Sequence, residues 1–141
     1  MDEVLEIKNV LCLVYNSNGK TLLEVKKNTP NRGKWTFIED RVFNYEEPIE
    51  GCKRMLDTKL DVQPEKELHY IDKMSWNHPE YNMEGVTYVF GLPNFDEDFK
   101  NIMNPNFQWF NTDDIVKYED SIGMMEGVMN MGVGEFWLLF N

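Results

Sequence analysis

The chain has 141 residues, 42% of them hydrophobic, 28% charged and 13% aromatic. That supplies a core for a single domain spanning 1–141 and is too apolar for a disordered chain. Acidic residues number 25 against 14 basic ones, a formal net charge of -11. A surface of that sign repels phosphate backbones and anionic lipid, so non-specific nucleic-acid binding and membrane binding are not expected. It leaves room for a local basic pocket.

No window approaches the roughly 20 apolar residues of a membrane span. The start, MDEVLEIKNV, lacks a basic region followed by an apolar run, and a cytoplasmic location is expected. Cys12 and Cys52 fall on expected buried faces and read as free thiols. The histidines, His69 and His78, do not make metal-type spacing with them.

Residues 4–15 read as a strand whose alternation passes into a continuous apolar run, as burial on both faces of a sheet requires. Asn16-Ser17-Asn18-Gly19 is a turn signal, and residues 20–27 form the second strand of a hairpin. The loop at 28–34 and its flank hold Lys26, Lys27, Arg32 and Lys34, the one basic concentration in the chain. It is either a solvated loop or a cradle for a phosphate-bearing ligand.

A short strand is expected at 35–37, then a charge-rich turn, then an amphipathic helix. Glu46, Glu47 and Pro48 suit a helix start, where amides are unpaired and the dipole is positive. Ile49, Cys52, Leu56 and Leu60 fall on one stripe, and Asp61 ends the helix in a left-handed turn. Strands follow at 67–76, 85–92 and 107–110, with loops at 77–83 and 93–106. Thr112-Asp113-Asp114 reads as the cap of a last helix. The tail is rich in Met and Gly and ends in FWLLF, which reads as a homodimer contact. The order implies a mixed sheet sandwiched between helices, an α/β (α+β) fold.

This order resembles that of the Nudix hydrolase superfamily, whose box reads G-x5-E-x7-R-E-U-x-E-E-x-G-U, with U aliphatic, on a loop, helix and loop. Glu46 matches the first box glutamate, Arg54 the arginine, Leu56 the first aliphatic position and Val62 the last, without insertion or deletion. Trp35-Thr36-Phe37 resembles the strand before the box, and residues 107–115 resemble the strand leading into the family's last helix. The departures are systematic. Asp40 stands at the first glycine, Met55, Thr58 and Lys59 at three glutamates, and Asp61 at the second glycine.

In the family those glutamates hold magnesium or manganese, which bridges a substrate diphosphate. The ions require hard oxygen ligands, which a thioether, a hydroxyl and an ammonium do not supply together. The resemblance therefore implies a degenerate member that binds a nucleotide or nucleotide-derived ligand without a metal cofactor. Arg32, Lys34, Trp35, Glu39, Arg54, Lys59, Trp76 and Tyr88 are the candidate ligand-binding residues. Lys59 would supply positive charge to a phosphate in place of the metal. Two alternatives stand beside this reading. One is an active hydrolase of nucleoside diphosphate derivatives, using Glu46 and Glu50 with Mg²⁺ or Mn²⁺ held by relocated ligands, for which the acids at 96–98 are candidates. The other is a protein-interaction module on the same scaffold.

Overall fold

The computed structural model describes residues 5–27, 33, 35–79, 82–93, 95 and 105–114. Among these, seven strands and one helix run β1 (Leu5–Tyr15), β2 (Lys20–Val25), β3 (Trp35–Thr36), β4 (Ile38–Arg41), α1 (Pro48–Leu60), β5 (His69–His78), β6 (Met83–Leu92) and β7 (Phe107–Asn111). The strands form one mixed sheet in the order β3-β2-β1-β6-β5, with β4 also paired to β1 and β7 to β2. Thr112, Asp113 and Asp114, read as a helix cap, form a single 3₁₀ turn; the helix expected to follow and the Met-rich tail lie outside the described residues.

β1 is the axis of the sheet. It runs parallel to β6 from Leu5, opposite Met83, to Val14, opposite Leu92. On its other side, Asn9 to Cys12 pair antiparallel with β4, and Val14 and Tyr15 with β2. The continuous apolar run at residues 10–15 is buried throughout, because both faces of β1 are covered. Val10, Cys12 and Val14 face α1 and join Leu22, Ile38, Cys52, Met55, Leu56, Leu60 and Phe90 in the larger core cluster. Leu11 and Leu13 point the other way and pack with Leu23, Phe37 and Val89. The alternation of a strand thus divides one run of apolar residues between two cores.

Cys12 and Cys52 are free and buried, as their contexts led one to expect. Burial pushes the Cys12 thiol well above its ordinary value, with the Cys52 thiol beside it. It therefore stays protonated and behaves as an apolar group.

Two expectations about α1 need correction. Ile49 is 41% exposed, whereas Met55 is fully buried. The buried arc is Gly51, Cys52, Met55, Leu56 and Leu60. Gly51 has no side chain and sits against Val42 and the Glu46 carboxylate, so the helix settles on that side and Ile49 is left at the rim. The strand ends differ as well. Ile38–Arg41, read as a charged turn, is β4. Ile38 is fully buried, and the acids after it pair at the rim instead of facing the core. β5 and β6 extend further than expected, through the pairs Asn77–Glu84 and His78–Met83. β5 is an edge strand, so polar residues continue the ladder without the alternation that marks a half-buried strand.

Candidate functional site

The loop from Val42 to Glu47 carries the chain from β4 into α1, and the site is assembled around it. α1 starts at Pro48 with Glu47 extended at the cap and Glu50 in the first turn. A proline suits this place because its missing N–H has no helical partner to lose. The loop is fixed by one side chain. Arg54, on the second turn of α1, donates from Nε to Glu46 Oε2 at 2.7 Å and from Nη2 to Glu46 Oε1 at 3.1 Å. Nη2 also donates to the Arg41 carbonyl at 2.7 Å, and Nη1 lies 3.5 Å from Asp40 Oδ2. The guanidinium sits 4.0 Å from the centre of the Phe43 ring. Glu46 Oε1 further accepts the Phe43 amide at 2.9 Å.

This is a two-pronged clamp between loop and helix, the use to which a planar guanidinium is best suited. Its electrostatics follow from the contacts. The Arg54 hydrogen bonds and the Phe43 amide hold the Glu46 carboxyl below its ordinary range. The same pairing raises Arg54.

A second group lies where α1 meets β2 and β4. The Lys59 ammonium donates to Glu24 Oε1 and to the Glu39 carbonyl, each at 2.8 Å. Lys26 forms an ion pair with Glu39 Oε1. The four side chains are mostly buried, with 15% of Glu24 and Glu39 and about a quarter of the lysines exposed (23% and 25%). Glu39 Oε2 is buried and has no hydrogen-bond partner among the described residues.

Of the candidates, Glu46 and Arg54 meet at the loop before α1, and Lys59 reaches Glu24 and the backbone carbonyl of Glu39, whose side chain lies on the Leu11 face of β4. Glu24 was not foreseen. The signal was available in the period of β2, because Leu22 lies in the α1-side core and Glu24 is two residues on, on the same face. Trp35 and Trp76 are placed elsewhere. Trp35 packs on the opposite face, with its ring 5.4 Å from that of Phe110 in an edge-on contact. Trp76 lies over Gly85 with its indole N–H on the Thr87 hydroxyl at 3.1 Å. It borders a cavity of ≈ 490 Å³ shared with Ile7, Lys8, Asn77 and Glu84. Tyr88 is half-buried against the α1-side core, so it does not share a face with Trp76. Arg32, Lys34 and the acids at 96–98 lie outside the described residues.

The model of the NUDIX domain family matches residues 6–127. The chain belongs to the NUDIX family. No curated protein matches it in sequence.

Among solved structures, this NUDIX chain is similar to a NUDIX hydrolase from Nitrosomonas europaea, at 18% identity and a TM-score of 0.66, covering 92% of this chain and 90% of that one. It is also similar to the Ap4A hydrolase of C. elegans, at 14% identity and a TM-score of 0.64, over 94% and 99% of the two chains. A third is Shewanella oneidensis NrtR, at 17% identity and a TM-score of 0.62 over 78% of this chain. This chain spans about half the length of NrtR (54%). The NUDIX domain of NrtR, solved in complex with ADP ribose, matches at 16% identity and a TM-score of 0.61, over 83% of this chain and 79% of that one.

The family implies a divalent metal, and the described residues at the box positions of α1 do not fit one. Met55 is in the core, Thr58 is exposed, and Lys59 brings a cation where a ligand would be needed. Among the described residues, no cluster of three or more His, Cys, Asp or Glu is arranged to hold a metal.

Proposed function

We propose that this NUDIX domain binds a nucleotide-derived ligand, a nucleoside diphosphate derivative, and does not cleave it by metal-dependent hydrolysis. The observation that carries this reading is the seat of Lys59, whose ammonium is held by Glu24 and the Glu39 carbonyl at a helix position where the family places a glutamate. Magnesium takes hard oxygens in near-octahedral array and is not drawn to an ammonium.

Four further observations support the reading. Glu46, the acid with the best claim to catalysis, has both oxygens occupied by Arg54 and is held in its charged form, which makes it a weak base. Glu50 is exposed in the first turn of α1. Trp76 borders a cavity of a size that admits a nucleoside, with an indole surface on which a base can stack. The basic loop containing Arg32 and Lys34 supplies positive charge in the sequence beside β2.

The test is a thermal and calorimetric titration with ADP ribose, Ap4A and nucleoside triphosphates, run once in Mg²⁺ and once in EDTA. At least one of them raises Tm equally in both buffers and is recovered intact, since a ligand bound only by the native state must stabilise it. Product formed in Mg²⁺ and abolished by EDTA overturns the reading in favour of a hydrolase. The absence of any Tm shift across the panel overturns it in favour of an interaction module.

A further inference from the structure

Three elements meet at one ammonium. Lys59 reaches from the last turn of α1 to Glu24 on β2 and to the backbone of Glu39 on β4. Around that ammonium the protein presents one carboxylate oxygen and one carbonyl oxygen, each 2.8 Å away. The Glu39 carboxylate itself pairs with Lys26 and, by its register opposite Leu11, lies on the face of β4 away from the α1-side core, so Glu39 contributes only its carbonyl.

Carboxylates and a carbonyl are the donor types that Mg²⁺ and Mn²⁺ select. What the native set lacks is one more anionic ligand, and the side chain that would have supplied it carries the positive charge instead. We propose that Lys59 is a resident cation, covalently tethered to α1, that fills a divalent-metal position between α1, β2 and β4. It bonds the three elements through the same oxygens a metal would use. The site is thereby closed to metal in the native chain, and a glutamate at residue 59 opens it.

The inference goes beyond ligand binding and does not depend on it, because its readout is metal uptake by the protein alone. Free Mn²⁺ is followed by electron paramagnetic resonance, and Tm is measured with and without Mn²⁺, for the native chain, Lys59→Glu, and Lys59→Glu combined with Glu24→Gln. In the native chain Mn²⁺ leaves Tm unchanged. Lys59→Glu melts lower than the native chain in EDTA, because two carboxylates then face each other without the ammonium between them, and regains about 3 °C or more in millimolar Mn²⁺. Adding Glu24→Gln weakens the Mn²⁺ affinity of that variant about tenfold or more, as loss of one ligand requires.

Three outcomes overturn the proposal: no Mn²⁺ uptake by Lys59→Glu, uptake indifferent to Glu24→Gln, or a native chain stabilised by Mn²⁺ as strongly as the variant. If Lys59→Glu does not fold in EDTA, refolding in Mn²⁺ becomes the readout. Recovery of the fold then supports the proposal, and its failure overturns it.

Discussion

Asp61 ends α1 with φ 55 and ψ 44, in the left-handed region that glycine enters at no steric cost. Its amide bonds to the Asp57 carbonyl at 3.0 Å, and the Val62 amide to Leu56 at 3.3 Å, so the geometry of the stop is set by backbone. Asp61→Gly keeps both bonds and removes the strain, and is expected to stabilise the chain by about 0.5–1 kcal/mol in urea unfolding.

Glu46 gives a second expectation at this scale. Its carboxyl is held below its ordinary value of 4.5 in the folded chain, chiefly by Arg54. Below that value the unfolded chain binds more protons than the folded one. The stability that Glu46 contributes is therefore present above pH 4.5 and lost as pH falls through the folded value. Urea midpoints should show Glu46→Gln less stable than the native chain at neutral pH, with the two curves converging in acid.

The role of Asp61 was legible from backbone preference. Glu46 and Arg54 were singled out by their match to the family box as candidate catalytic and ligand-binding residues, while the clamp between them comes from the structure. Glu24 was not legible, since its partner Lys59 lies far along the chain and only the folded sheet brings the two together.

At the scale of elements, Gly85 is where β6 admits a neighbour. A methyl group there would meet the Trp76 ring and lie 2.5 Å from the Ile7 carbonyl, with backbone that cannot yield as a side chain can. Gly85→Ala is expected to cost about 1–3 kcal/mol, read as a shift of the denaturant midpoint, and to displace Trp76, read as a change in its fluorescence. Nothing in the sequence distinguished this glycine from one in an ordinary strand, because the requirement comes from β1 and β5 on either side.

Helix α1 was more legible, from proline at its start to the aspartate at its end. Only its rotation was misjudged. The stripe drawn through Ile49 ignored what Gly51 permits, and Met55 took the core position. β4 was hidden for another reason. Glu39 and Asp40 look like loop residues until Lys26 and Arg54 are seen to neutralise them.

For the whole molecule, the mixed sheet followed from the order of strands and helix, and the family match confirms the scaffold. Strand order is a different matter. That β1 lies parallel to β6, and takes both β2 and β4 on its other side, is a long-range fact that a single sequence does not encode in any local pattern. The division of aromatic candidates follows from it. Tyr88 and Trp76 are close in sequence terms to one hairpin, yet alternation and register send them to opposite sides of the sheet.

The position of β1 also bears on how the chain is made. Synthesis delivers β1, β2, β4 and α1 well before residues 83–92 exist, and those residues supply the whole second edge of β1. Until they emerge, the nascent chain carries an apolar strand with an open row of amides and carbonyls, the surface most prone to pair with a neighbouring chain. Through residue 82 the growing chain holds 15 acidic against 12 basic residues, too little net charge to keep it apart from its neighbours. Its solubility on the ribosome therefore rests on how soon β6 arrives to close that edge.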